Sequence, residues 1–135
     1  MDLLPSALRP QVTEFYRAEA FDRIATLPGI RVVQHRIVAE DRRFKLDCFS
    51  HVFGSGAQGI RIEDDLLLVN RPVQRYLEGS ADVGSVVVYG DLVHVGRYLG
   101  NNRVRSKWDY GSVFEHPLEL VPEEYGDSVR FFSRL

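Results

Sequence analysis

Hydrophobic and polar positions follow more than one period along this chain of 135 residues. Between residues 11 and 27, apolar side chains recur every three or four residues, which predicts one amphipathic helix that ends at Pro28 and Gly29. Residues 30–39 are rich in β-branched side chains and predict a strand. Residues 60–69 fit either a helix or a strand. Residues 72–77 predict one or two helical turns, since proline suits a first turn.

From residue 84 onward the period changes to two. Alternating apolar positions predict three strands, around residues 86–88, 93–98 and 104–108. Between the last two, Gly100, Asn101 and Asn102 tolerate the positive φ angles that a tight hairpin turn needs.

The remainder of the chain completes an α+β pattern. The tail is rich in proline and glycine and predicts mostly loop, with a last strand at residues 128–132. Helices come first and an antiparallel meander follows. This order predicts N-terminal helices packed on the meander, within a single domain that spans residues 1–135.

Composition narrows the classes of function. Hydrophobic residues make up 44% and charged residues 27%, as in ordinary globular proteins, and the net charge is -2. We therefore expect neither nucleic acid nor an anionic membrane surface as a partner. The N-terminal residues do not resemble a signal peptide, and one cysteine excludes an intramolecular disulfide. The expected compartment is the cytoplasm, with export by another route left open.

That one cysteine, Cys48, lies in a predicted short helix, residues 47–53, with Asp47 as its N-cap. A thiol attacks well only as thiolate, and a helix start or a nearby histidine lowers its pKa. His94 lies on a predicted strand and could act as that histidine. The competing interpretation is that Cys48 is a small buried hydrophobic residue.

Two segments resemble the NlpC-type cysteine peptidases and the related CHAP amidases. Asp47-Cys48 followed by Val52 resembles the start of their catalytic helix. Residues 94–102, HVGRYLGNN, resemble their histidine strand and turn, and residues 84–89, GSVVVY, resemble the strand before it. The resemblance implies a papain-like fold that needs no cofactor.

The resemblance also implies roles for particular residues. Cys48 would be the nucleophile that forms a thioester, and His94 would be the general base and then the general acid, in a hydrolase for an amide or peptide bond. Ser106 occupies the position of the family's third polar residue, usually a histidine, and would orient His94. Asp109 or Glu115 could supply that third member instead.

Other features favour a different class of protein. Phe49-Ser50 replaces the family's Ser-Gly pair, and Ser106 orients an imidazole less firmly than a histidine would. Both departures favour a non-catalytic protein-binding module on the same fold. Transfer of an acyl group through the same thioester is a third option.

The remaining histidines and the arginines carry weaker predictions. His51 follows Cys48 by three residues, a spacing that could ligate zinc, but without closely spaced cysteines we expect no metal site. His51 is then a residue near the cleft, His35 a surface or packing residue and His116 a hydrogen-bonding residue in a loop. The predicted hairpin is basic, which indicates either a solvated charged face or a binding surface for an acidic partner. Its cations are Arg97, Arg103, Arg105 and Lys107.

The catalytic hypothesis makes one geometric prediction. The side chains of Cys48 and His94 should lie within hydrogen-bond reach or slightly beyond. A Cys48 buried in apolar contacts, with His94 on the opposite face of the sheet, would contradict it.

Overall fold

The computed structural model describes residues 1–135, apart from the side chain of Val38. Within the described residues, one antiparallel sheet of nine strands dominates, and its order is β1-β8-β7-β6-β5-β9-β4-β3-β2. The strands are β1 (Arg31–Gln34), β2 (Arg61–Glu63), β3 (Leu66–Val69), β4 (Gln74–Glu78), β5 (Val86–Tyr89), β6 (His94–Gly100), β7 (Arg103–Lys107), β8 (Val113–Pro117) and β9 (Val129–Arg134).

The helices are short. They are α1 (Arg9–Arg17), α2 (Phe21–Ile24), α3 (Val38–Arg43) and α4 (Cys48–Phe53), with a 3-10 turn at Glu123–Tyr125. The predicted arrangement of N-terminal helices packed on a meander in a papain-like α+β fold is therefore wrong. The structure is dominated by its sheet.

Three local predictions behind that fold prediction were wrong. Residues 72–77 were predicted as helical turns but contribute to β4, because pairing with β3 and β9 overrides the local preference after proline. The predicted long helix at residues 11–27 is two helices, with Glu19 at a φ of 53° between them. The tail also contains β8, which a loop prediction missed.

Other predictions are confirmed. The three meander strands are β5, β6 and β7, and the last strand is β9. The turn between β6 and β7 has φ angles of 85° at Gly100, 51° at Asn101 and 61° at Asn102, as its residue types indicated. The short helix with Asp47 as its N-cap is α4.

Two hydrophobic cores lie on opposite faces of the sheet. Along β5, Val87 and Tyr89 point into the first core, which α1 and α2 cover, whereas Val86 and Val88 point into the second, which α4 covers. All four β5 side chains are buried because this strand lies in the middle of the sheet with a core on each side. Of the predicted site residues, Cys48 begins α4, His94 begins β6 and Ser106 lies in β7.

Candidate functional site

Cys48 is the first residue of α4. A capping box fixes the start of that helix: the Asp47 side chain accepts a hydrogen bond from the Ser50 backbone N–H at 3.0 Å, and the Asp47 N–H donates to Ser50 Oγ at 2.8 Å. The Cys48 side chain points toward the sheet, packs in the second core and is 2% exposed.

The thiol is held in its neutral form. Burial raises the pKa of Cys48 to about 12, and the carboxylates of Asp47 and Asp109 add to that increase. Backbone N–H groups of Val95 and Phe49 point at the sulfur and oppose the increase only in part. The prediction that the helix start and a nearby histidine lower this pKa is wrong, because desolvation dominates.

His94 begins β6 and lies on the other face of the sheet. It pairs directly with Tyr89, whereas its neighbour Val95 pairs with Val88. Directly opposite residues of antiparallel strands share a face. Tyr89 belongs to the first core, and Val88 and Val95 belong to the second core with Cys48. The imidazole and the thiol therefore start from opposite faces, although the sulfur reaches the N–H of the residue that follows His94.

The His94 ring is completely buried and stacks on the Tyr125 ring, with 4.0 Å between centroids and an interplanar angle of 11°. Among the described residues, neither ring nitrogen has a hydrogen-bond partner, and the Cys48 sulfur is not one. Burial, with smaller effects from His116 and His51, holds the His94 pKa well below its usual value. The imidazole is therefore neutral at pH 7.

Ser106 is engaged elsewhere. Its Oγ accepts a hydrogen bond from Trp108 Nε1 at 3.0 Å and lies 2.8 Å from His116 Nε2. His116 Nδ1 donates to the Pro117 carbonyl at 2.7 Å, so its Nε2 must accept the Ser106 proton. Ser106 thus orients His116 and makes no hydrogen bond to His94, contrary to the predicted orienting role. His116 itself lies in a strand rather than a loop.

The two acidic alternatives for the third member also bind other groups. The Asp109 carboxylate accepts a hydrogen bond from the Tyr16 hydroxyl. Glu115 pairs with Arg31 and, at 2.5 Å, with Arg105. Neither carboxylate forms a hydrogen bond with His94 in the described structure.

Two of the four cations of the predicted basic hairpin are paired with acidic side chains within the protein. Lys107 forms a buried ion pair with Asp41 at 3.1 Å. Arg97 donates to the carbonyls of Val52 and Gly84, at 3.2 and 3.0 Å. With Arg105 bound to Glu115, only Arg103 of the four hairpin cations has no ion pair or hydrogen bond from its side chain among the described residues. Among the described residues Arg97 and Arg103 form no ion pair, so an acidic partner would still meet two positive charges on this hairpin.

A cleft of about 400 Å³ opens beside Cys48. Its wall combines aromatic rings, charged side chains and the thiol, and His94 is not part of it. The residues that line it are Tyr16, Arg17, Glu19, Phe21, Arg36, Arg42, Asp47, Cys48, Phe49, Val93, Asp109, Tyr110 and Gly111.

Most of this wall was not predicted from the sequence. Tyr16 and Phe21 were predicted only as helix positions, because α1 and α2 reach the cleft through tertiary packing alone. The segment Trp108-Asp109-Tyr110-Gly111 offered the one available signal, a polar and aromatic corner directly after a predicted strand. No cluster of three or more potential metal ligands occurs among the described residues, and none of their helices is long and apolar enough to cross a membrane.

Comparison with known proteins adds no relative. No protein-family model, curated protein or solved structure matches this chain. The resemblance to NlpC-type peptidases stays a prediction that rests on the quoted motifs.

Proposed function

We propose that this protein is a non-catalytic protein-binding module that holds a peptide segment of its partner in the cleft beside Cys48. One observation carries the proposal. Cys48 lines the cleft but His94 does not, and the two side chains belong to cores on opposite faces of the sheet. Both groups are also held neutral by burial. A thiol hydrolase needs base and nucleophile on the same side of its substrate.

The cleft itself suits a peptide. Its volume lies in the range of ordinary ligand sites, roughly 300–1,000 Å³. Phe49 and Tyr110 offer partly exposed rings, which supply contact area at low entropic cost. Charged groups of both signs surround them and can bind backbone and side-chain groups of a partner. As part of this proposal we place the protein in the cytoplasm, where a reducing environment keeps the free thiol of Cys48 reduced.

A cysteine hydrolase is the second candidate, and one observation favours it. The buried nitrogens of His94 have no partner among the described residues, which is costly, and such groups concentrate at functional sites. If the ring left Tyr125 and reached the sulfur, His94 would take the thiol proton as Cys48 attacked an amide carbonyl. It would then protonate the leaving amine, and water would hydrolyse the thioester.

Two measurements separate the candidates. A synthetic library of blocked pentapeptides is added to the ¹⁵N-labelled protein, and amide shifts and peptide cleavage are both followed. We expect peptides to shift the amide resonances around the cleft without being cleaved. These shifts should be smaller in Tyr110→Ala and should persist in Cys48→Ala, which removes the thiol. Cleavage that Cys48→Ala abolishes would overturn the proposal, as would a library in which no peptide shifts cleft resonances.

The reactivity of the thiol provides the matched check. Because burial raises its pKa, Cys48 should react with iodoacetamide more slowly than a free thiol near neutral pH. Reaction faster than that of a free thiol, with the excess lost in His94→Ala, would contradict this expectation and favour the hydrolase.

A further inference from the structure

The charges around the cleft do not cancel. Arg17 is bound by both oxygens of Glu124, at 3.0 and 3.1 Å, and Arg42 lies 3.7 Å from Glu19. Once these pairs are set aside, one lining cation, Arg36, faces two lining carboxylates, Asp47 and Asp109. The cleft therefore retains an excess of negative charge.

Of these two carboxylates, Asp109 is the one placed to bind a cation. It lies between β7 and β8 with a φ of 53°, in the left-handed region that Asp and Asn tolerate better than most residues. Its one hydrogen bond comes from the Tyr16 hydroxyl, and no cationic side chain pairs with it among the described residues. Its charge reaches the cleft, since it contributes to the raised pKa of both Cys48 and Tyr16.

A second polar group, the Tyr125 hydroxyl, lies next to this pair. It is buried and makes no hydrogen bond of normal geometry within the described structure, although it is near enough to the Tyr16 hydroxyl for each group to affect the pKa of the other. Its ring lies 5.4 Å from that of Tyr16, whose hydroxyl binds Asp109. Buried hydroxyls without a full hydrogen bond are rare. Tyr125 does not itself line the cleft, so it bears on recognition only through Tyr16, which does.

The aromatic walls select the kind of cation. Phe21 already carries the guanidinium of Arg36 over its ring, 4.7 Å from the centroid. Phe49 and Tyr110 line the same cleft, and no cation covers either ring among the described residues. A guanidinium is planar, stacks on such rings and forms two parallel hydrogen bonds to a carboxylate, which an ammonium does not.

We propose that the cleft recognises an arginine side chain of the partner, with Asp109 binding the guanidinium and the rings of Phe49 and Tyr110 flanking it. The inference rests on the proposed function, because it names the group that the binding cleft takes. Asp109 is a recognition residue here and has no part in any bond-breaking step.

The experiment compares two probes that differ only in charge. N-acetyl-arginine amide and N-acetyl-citrulline amide, its neutral isostere, are titrated into the full chain. Binding is followed by amide shifts and by the fluorescence of Trp108, the single tryptophan, which precedes Asp109. We expect shifts at residues 109–111 with the arginine probe and roughly tenfold weaker or absent binding with citrulline.

Asp109→Asn isolates the carboxylate. Asparagine keeps an acceptor for Tyr16 and tolerates the same backbone angle, so the variant should fold while losing about tenfold or more in affinity for the arginine probe. Asp91→Asn, at an exposed carboxylate outside the cleft, should leave binding unchanged.

Each outcome decides the inference. Equal binding of both probes, or unchanged affinity in Asp109→Asn, would overturn it. Should library peptides without arginine shift the cleft while the arginine probe does not, this inference fails and the proposed function stands. Cleavage dependent on Cys48 would instead remove the proposed function itself.

Discussion

At the scale of single residues, burial decides the chemistry of this protein. Cys48, His94 and His116 are all nearly or completely buried. Burial raises the pKa of the thiol and lowers the pKa of both imidazoles, and each shift favours the neutral form. Hydrogen bonding then separates the two histidines. His116 has partners on both ring nitrogens, whereas His94 has none among the described residues.

Because His116 is neutral in the folded state, we expect the free energy of unfolding to depend on pH. Burial is the main cause that lowers its pKa to about 4, against roughly 6.5 in an unfolded chain. Between these two pH values the unfolded state binds more protons than the folded state. The contribution of neutral His116 to the free energy of unfolding is therefore full above about pH 6.5 and is lost as the pH drops toward 4. At about 1.4 kcal/mol per unit, the loss is roughly 3 kcal/mol.

Urea unfolding from about pH 7 down to pH 4 tests this prediction. The glutamine in His116→Gln cannot titrate, so the free energy of unfolding of this variant should fall less steeply with decreasing pH than that of the parent protein. Some pH dependence should remain, because the pKa of His94 is also lowered by burial. His35→Gln, at an exposed histidine, is the control and should keep the parent slope. Equal slopes for the parent and His116→Gln would show that the His116 proton is not the cause.

At the scale of elements, a buried ion pair fastens α3 to the end of β7. Lys107 Nζ lies 3.1 Å from Asp41 Oδ2 and also donates to the Gly111 carbonyl at 2.7 Å. The Asp41 carboxylate in turn accepts a hydrogen bond from the N–H of Ile37, the residue at the N-cap position of α3. Because both side chains are almost fully buried, neither charge can return to water when the other is removed.

Removing the lysine should therefore cost more than removing both charges. Lys107→Met leaves Asp41 charged and buried, and we expect a loss of about 3–5 kcal/mol in the free energy of unfolding. Asp41→Asn combined with Lys107→Met should recover part of it, since the amide keeps an acceptor for Ile37. A double-mutant cycle in urea measures the difference. A double variant less stable than Lys107→Met alone would contradict this account.

At the scale of the whole molecule, β9 joins the two halves of the sheet. It pairs with β4 on one side and β5 on the other, so it connects the three-stranded β2–β4 end to the other strands. Phe131 and Phe132 alternate into the first and second core. The chain's start also lies here, because the Met1 carbonyl accepts the Val129 N–H at 2.9 Å.

A chain shortened to end at Ser128 should therefore lose its cooperative fold. It gives up every hydrogen bond that β9 makes to β4 and β5, together with two buried phenylalanines. Circular dichroism and amide dispersion measure the outcome. A chain lacking only the exposed Leu135 is the control and should unfold as the full chain does. A cooperative transition in the Ser128 variant would show that the two halves hold together without β9.

The sequence by itself determined the features that depend on neighbouring residues. Asp47 caps α4 through Ser50, three residues away, and the glycine and asparagines at 100–102 make the β6–β7 turn because they accept positive φ. The strands β5, β6 and β7 were predictable for the same reason, since an apolar run or an alternation is a property of successive residues.

Only the tertiary structure decided how the sheet extends and what surrounds the candidate site. Residues 74–78 became a strand because β3 and β9 pair with them, which no local pattern reveals. Cys48 and His94 suit catalysis by residue type, but strand register put His94 on the face opposite α4, and the residues covering each group set its charge. Register and burial are sums over contacts between distant segments, so the sequence specified which groups are present and the fold specified which of them meet.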